Sequence, residues 1–285
     1  MPATWTALSA SVRGSLHESL GKLNQDAVRI HRAADSIFLA VADGHGNTRS
    51  FRSDRGSALA TECAVRALRD LMWRNGVDGR LSSIRRQMER RLPQAIINHW
   101  HRAVREDIAR DPFSPLDFAA FPDKAPVLKP GHDLPFAAYL AYGATLIVAA
   151  MTPRFVAYAQ LGDGDILLVN QDGTVSRPWT REYEFFSTET ISLCSHYAAQ
   201  SFRVRVEPRR AQGPAVVVLA TDGYANCFGD DEAFFTVGSD LLTYLRQEGT
   251  AFVQERLAHW LSESSRDGSR DDITVGLGAR LNALQ

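Results

Sequence analysis

Cysteine is scarce in this sequence of 285 residues: Cys63, Cys194 and Cys227 are all there is, with no Cys-x-x-Cys spacing. An odd, sparse set excludes a disulfide framework and a cysteine-built zinc site, and leaves each thiol as a small buried apolar side chain. An excess of one charge is also missing. The 32 basic and 33 acidic residues give a net charge of -1, so nothing calls for nucleic acid or an anionic membrane as partner. Arginines gather between Arg80 and Arg110, but acidic and apolar residues are interleaved with them, as on a solvated helix face. No stretch approaches the roughly 18 apolar residues of a membrane span. The opening "MPATWTALSASVRG" lacks the charged start and apolar run of a secretory signal. The expectation is a soluble, cytoplasmic protein.

Apolar residues are plentiful, at 45% of the chain, enough for one large domain or two small ones. "SIFLAVAD", "GATLIVAAM", "RFVAYAQLGD", "DILLVN" and "AVVVLATD" read as strands buried on at least one face. "LLVNQDGTVS" predicts a hairpin turning at Asp172-Gly173, and "DDITVGLGARL" a closing strand. Helical spacing links Leu59, Cys63, Ala67 and Leu71, and then runs from Ile84 to Ile108. Pro93 interrupts the second run, predicting a kink or two consecutive helices. "DLLTYL" and "AFVQERLAHWLSE" predict further helix, broken at Gly249. Residues 111–136 hold six of the twelve prolines and predict a long irregular connection. There is no internal repeat. Strands, helices, strands, helices and a last strand make an α+β class, with antiparallel sheets covered by helix pairs.

Four apolar runs carry an aspartate beside a glycine at one end: "LAVADGHG", "AQLGDGD", "VVVLATDG" and, more loosely, "DGSRDDITV". Asp-Gly is ordinary turn chemistry, and glycine lets the chain bend sharply after the carboxylate. A charge capping a buried strand is nevertheless expensive unless it is paired or bound to metal. If Asp43, Asp163, Asp222 and Asp271 converge, their mutual repulsion invites divalent cations. An all-oxygen donor set selects Mg²⁺ or Mn²⁺ over zinc. A two-metal hydrolytic centre follows, with His45, two residues from Asp43, suited to act as general acid.

In order along the chain, "NQDAVRI", "FLAVADGHGN", "GATLIVAAM", "YAQLGDGDILL", "VVLATDGYANCF" and "SRDDITVGL" resemble the motifs of the metal-dependent PPM phosphatases, the protein phosphatase 2C family. The resemblance covers nearly the whole chain. It implies a single domain over 1–285 and a four-layer α-β-β-α sandwich. It further implies hydrolysis of phosphoserine and phosphothreonine in proteins, substrates of a serine/threonine kinase, by water activated between two Mn²⁺ or Mg²⁺ ions. By the same resemblance Asp43 bridges both ions and the Gly44 carbonyl binds one of them. Asp222 and Asp271 hold the other, Asp163 faces a weaker third ion, and His45 is the acid beside the leaving group.

Three departures accompany the resemblance. Gln25 stands where the opening motif has Glu, offering an oxygen without charge beside Asp26. Asp272 stands where Asn is usual, making it a rival to Asp271, which the alignment with Ile273-Thr274 favours. Gly21 falls on the phosphate-binding arginine of well-known members. In "RGSLHESLGKLNQDA", which resembles a bacterial branch with Gly-x-x-His upstream of Gln-Asp, His17 takes over phosphate contact, while Lys22 or Arg13 offers a longer reach. An imidazolium binds phosphate in a pH-dependent way, so activity is expected to respond to pH below neutrality. Gln25 and the missing arginine motivate an alternative, a pseudophosphatase or regulatory phosphoprotein-binding module, against which the retained aspartates speak. A phosphatase of small molecules is a third reading, since fold does not fix substrate. The 111–136 connection and "REYEFFSTETISLCSHYAAQS" are candidates for the substrate mouth.

Overall fold

The computed structural model describes residues 5–75, 80–117, 135–179, 190–210 and 213–284. Among the described residues, ten strands form two antiparallel sheets of five. The strands are β1 (Trp5–Val12), β2 (Ala27–Ala33), β3 (Ser36–Ala42), β4 (Leu146–Met151), β5 (Phe155–Leu161), β6 (Asp165–Val169), β7 (Val175–Ser176), β8 (Arg203–Pro208), β9 (Val216–Ala220) and β10 (Ile273–Arg280). One sheet has the order β1-β10-β9-β6-β7 and the other β2-β3-β4-β5-β8.

The uninterrupted apolar runs follow from burial on both faces of a strand. Alternate residues point to opposite sides. In β3, Phe38, Ala40 and Ala42 join one core, while Ile37, Leu39 and Val41 join another. The second core lies between the sheets, where Leu39 and Val41 meet Ile166, Val217 and Leu219. Residues Val216, Val218 and Ala220 of β9 turn the other way, into a third core.

Helices close the two outer faces. α1 (Ser15–Ser19) is a short turn ahead of the first face, which is covered by α2 (Ser53–Asn75), α3 (Leu81–Arg90) and α4 (Leu92–Arg110), with α2 lying across β2, β3 and β4. Short helices α5 (Phe136–Leu140), α6 (Ala198–Ser201) and α7 (Asp222–Ala225) precede α8 (Asp231–Gln247) and α9 (Gly249–Asp267), which cover β1, β6 and β10. The result is the expected α+β fold, layered α-β-β-α.

Local chemistry sets the element boundaries. Pro93 divides two helices rather than kinking one: it sits in the first turn of α4, where a missing N–H costs no hydrogen bond. Gly249, at φ +85°, separates α8 from α9. The apolar spacing places the start of that region near Asp240, but α8 begins at Asp231. Asp230 caps it, its side chain accepting from the Ala233 N–H at 2.8 Å, ahead of the first apolar repeat. Gly173, at φ +86°, makes the β6-β7 turn as expected. The run "DDITVGLGARL" forms β10, the last strand of the chain as expected, and it lies between β1 and β9 in its sheet. Apolar runs do not disclose β1, β2 or β8, which keep partly exposed faces.

One helix–loop contact joins the fold to the site described below. Gly56 of α2 lies against the Tyr142 carbonyl so closely that an added Cβ would collide with it, and the Trp100 indole donates to the Gly56 carbonyl at 3.1 Å. Gly56→Ala is expected to cost about 1–3 kcal/mol of stability, read as a lower urea midpoint. An unchanged midpoint would mean that α2 does not press on residue 142.

Candidate functional site

Strand direction brings the predicted aspartates together. β3 and β5 both run antiparallel to β4, so they end at the same edge of their sheet. Ala220, at the end of β9, pairs with Asp165 at the start of β6 and with Val275 near the start of β10. Asp43 follows β3, Asp163 follows β5, Asp222 follows β9 and Asp271 precedes β10. All four line one cavity of about 840 Å³, together with His17, Gln25, Gly44, His45 and Asp272.

Gly44 and Gly223 serve close approach rather than unusual torsion, whereas Gly162, beside Asp163, adopts φ +98°. Neither Gly44 nor Gly223 has a positive φ. A Cβ on Gly44 would stand 2.5 Å from the Gln25 carbonyl oxygen, and one on Gly223 would strike the carbonyl of Asp272. The bend expected from Asp-Gly chemistry occurs at Asp172-Gly173, away from the cavity. Main-chain bonds fix the Asp43 loop: the Asp43 N–H donates to Thr145 Oγ1 at 3.2 Å, and the Thr145 N–H donates to the Asp43 carbonyl at 2.8 Å. Gly44 N–H donates to the Gln25 carbonyl and His45 N–H to the Gly143 carbonyl.

Asp271 and Asp272 have different tasks. Asp272 is buried. Its Oδ1 accepts from the Gly14 N–H at 2.6 Å, and its Oδ2 accepts from the Gln25 N–H at 2.7 Å and lies 2.9 Å from His17 Nδ1. It stitches the N-terminal segment to the cavity and has little capacity left for a cation. Asp271 is exposed toward the cavity. Arg270 before it adopts the left-handed region at φ +65°, unfavourable for a residue with Cβ. It is held there by hydrogen bonds from its N–H to the Ser265 carbonyl and from the Leu16 N–H to its own carbonyl.

The remaining predicted residues divide. His17 is 7% exposed, on α1, and lines the cavity. Gln25 lines the cavity, its Nε2 donating to Ser53 Oγ at 2.7 Å. Asp26 lies behind the wall, with Oδ2 accepting from Thr221 Oγ1 at 2.8 Å. Lys22 is exposed and does not line the cavity. Arg13 turns to the Lys22 carbonyl and to Glu18.

Sequence reasoning misses Arg49, Asn47 and Ser50, which line the same cavity directly after the Asp-Gly-His-Gly string. Polar loop residues carry no periodicity, so only adjacency to Asp43 could have flagged them. Of the stretch "REYEFFSTETISLCSHYAAQS", residues 181–189 lie outside the described residues. Its remainder contributes Ile191, His196 and Tyr197 to the wall, and Thr190 Oγ1 donates to Asp163 Oδ2 at 2.8 Å. Cys194 is buried as expected, yet it borders the cavity, whereas Cys227 is only half-buried. Residues 118–134 of the proline-rich connection also lie outside the described residues. Phe136 beyond them stacks on His196 at 3.8 Å between ring centres.

The donor set suits a hard cation. Among the described residues, Gln25 Oε1 and Asp26 Oδ1 are buried without a hydrogen-bond partner, and the acidic groups around them offer only oxygen. Among the described residues no three acidic, imidazole or thiol groups form a cage by themselves. A cation here would complete its shell from carbonyl, amide and water oxygens.

Proton affinity registers the crowding. Burial is the main cause pushing Asp26 up to about 8, with the Asp272 charge adding and the Thr221 hydroxyl opposing. Burial, then the charges of Asp26 and Asp222, hold Asp43 well above the ordinary carboxylate range. Asp222 is raised by burial and by Asp163 and Asp271, while a hydrogen bond with Asp43 works in the opposite sense. Raised values mean that the folded chain binds these protons more tightly than the unfolded chain. This share of stability is present below about pH 4 and is lost as pH climbs through the raised values. The metal-free protein is therefore expected to melt at progressively lower temperature between about pH 5 and 8. Asp43→Asn, which removes one of the charges, should flatten that decline. A wild-type midpoint rising over this interval would contradict the arrangement.

Comparison with known proteins agrees with this architecture. The chain is similar over most of its length to the catalytic domain of the serine/threonine protein phosphatase PstP, solved in complex with two manganese ions. The identity is 18%, with 96% of this chain and 97% of that chain covered at a TM-score of 0.56. Stp1 from Staphylococcus aureus matches at 15% identity, covering 98% and 97%, with a TM-score of 0.56. PppA from Pseudomonas aeruginosa, described as a key regulatory component of its T6SS, matches at 17% identity, covering 97% and 98%, with a TM-score of 0.58. Comparison with curated protein sequences gives no match. The protein phosphatase 2C family matches residues 13–262, a span that ends before Asp271. With that match over most of its length, the chain belongs to the protein phosphatase 2C family.

Proposed function

We propose that this chain is a metal-dependent phosphatase of phosphoserine and phosphothreonine in proteins. Family membership supports protein phosphatase function in the coarse sense. The observation that carries the finer reading is the meeting of Asp43, Asp163, Asp222 and Asp271 in one cavity from four distant strand ends. On this reading Asp43, the Gly44 carbonyl, Asp222 and Asp271 hold two Mn²⁺ or Mg²⁺ ions, Asp163 serves a weaker third, and Gln25 and Asp26 support the set. Bound there, such ions would neutralise phosphoryl charge and lower the pKa of a water molecule.

The chain's own residues supply the rest. His45, tied through its N–H to Gly143, carries the proton that a departing serine or threonine alkoxide needs. Thr145 keeps the Asp43 main chain from shifting. Asp272 orients His17 and the Gln25 backbone, so that His17 meets substrate phosphate from a fixed imidazole. The substrates are phosphoproteins made by serine/threonine kinases, encountered in the cytoplasm.

Gln25 motivates a second reading, a phosphoprotein-binding module without turnover. Its Oε1 is buried with no hydrogen-bond partner among the described residues, which suits an oxygen reserved for a cation or its water and favours the enzyme. Titration with Mn²⁺ separates the two, because a binding module has no need of two ions.

Asp43→Asn is expected to abolish hydrolysis of an aryl phosphate in Mn²⁺ while the circular dichroism spectrum stays unchanged; retained turnover would refute the enzyme reading. His45→Ala should slow a phosphoserine peptide by about 10²–10⁴-fold. An aryl phosphate, whose phenolate leaves with little need of a proton, should lose much less. Equal losses on both substrates would remove His45 from the acid role.

A further inference from the structure

The cavity wall is unbalanced in charge. Five aspartates line it, and among the described residues that line it Arg49 is the sole guanidinium or ammonium group. Other arginines nearby are committed: Arg52 lies among Asp107, Asp111 and Asp117, and Arg55 pairs with Asp111 at 2.6 Å. Among the described residues no acidic group pairs with the Arg49 guanidinium.

The turn that carries Arg49 is nevertheless fixed. Asn47 Oδ1 accepts from the N–H groups of Arg49 at 2.9 Å and of Ser50 at 3.1 Å. Ser50 Oγ donates to the Leu140 carbonyl at 2.9 Å, and the Arg52 N–H donates to the Ala141 carbonyl at 2.8 Å. A free cationic head on an anchored backbone, facing a carboxylate-rich cavity, is what a dianionic ligand needs to approach at all. The fork of a guanidinium also matches two phosphate oxygens at once. Lys22 does not line the cavity, and His17 has its Nδ1 engaged by Asp272.

We propose that Arg49 anchors the phosphate group of the substrate, a phosphate monoester dianion, on the same loop that carries His45. The inference rests on the phosphatase reading for its substrate, but it can fail separately. In the Mn²⁺-loaded full chain, Arg49→Ala should raise KM for a phosphoserine peptide by about 10–100-fold, as for a lost charge-assisted hydrogen bond, with a smaller change in kcat. Arg49→Lys should restore part of the affinity. Binding of inorganic phosphate, followed by isothermal titration, should weaken by a similar factor in Arg49→Ala. Mn²⁺ binding and the thermal midpoint should stay as in wild type, because the side chain is exposed. Phosphate binding and KM within twofold of wild type would overturn the assignment. A wild-type protein that hydrolyses no phosphate ester would defeat the phosphatase reading alone. The phosphate titration would then still decide Arg49, with loss in the variant supporting it and equal binding, or none in wild type, overturning it.

Discussion

Repulsion among aspartates gathered where the two sheets come together is the constraint around which the rest of this molecule is arranged. Asp26, Asp43 and Asp222 are all held in conditions that disfavour their ionised forms. A chain free to relax would splay them apart. It cannot, because Asp43 and Asp222 each follow a strand packed on both faces, where a one-residue slip would turn every core side chain outward, and Asp26 is tied to Thr221 after β9. The stability of three apolar cores is what keeps a cluster of charges in place. The cluster in turn gives the fold a use for cations.

The second constraint is Asp272, which joins residues more than 240 positions away in sequence. Gly14, His17 and Gln25 all meet its carboxylate, and β1 pairs with β10 along its whole length. The N-terminal segment is therefore built onto the C-terminal strand. The carboxylate at 272 accepts two main-chain N–H bonds and faces an imidazole, whereas an amide there would have a single oxygen to offer. Two main-chain donors and the facing imidazole offset the charge of an acidic residue placed beside Asp271, even as that charge adds to the raised proton affinity of Asp26.

What could be read from the sequence follows from what is buried on two faces. β3, β4, β5, β6 and β9 appear as unbroken apolar runs because helices and the opposite sheet leave them no polar side. β1 and β8 are half-exposed and blend into their surroundings. Asp43, Asp163, Asp222 and Asp271 were legible because each interrupts such a run. The reason for their neighbouring glycines was not: Gly44 and Gly223 are demanded by backbones from residues 25 and 272, a closeness created only by the tertiary fold. Lys22 and Arg49 show the same limit from the other side. Both are basic loop residues close in sequence to the site motifs, and only the fold distinguishes the one outside the cavity from the one on its wall.

The cavity also has two unlike sides, and they belong to different levels of the chain's design. Its floor is made of strand ends whose positions follow from register, so it is as fixed as the sheets. Its rim draws on a short helix and a loop: Phe136 of α5 stacked on His196, Ile191, and Tyr197, 74% exposed. An aromatic surface thus stands beside an anionic floor. The likeness to phosphatases at 15–18% identity lies in the fold that builds the floor. Thr190, bonded to Asp163, is where the two levels touch. Through that bond the segment at the rim shares a carboxylate with the floor, so the position of Asp163 depends on both the sheet register and the rim.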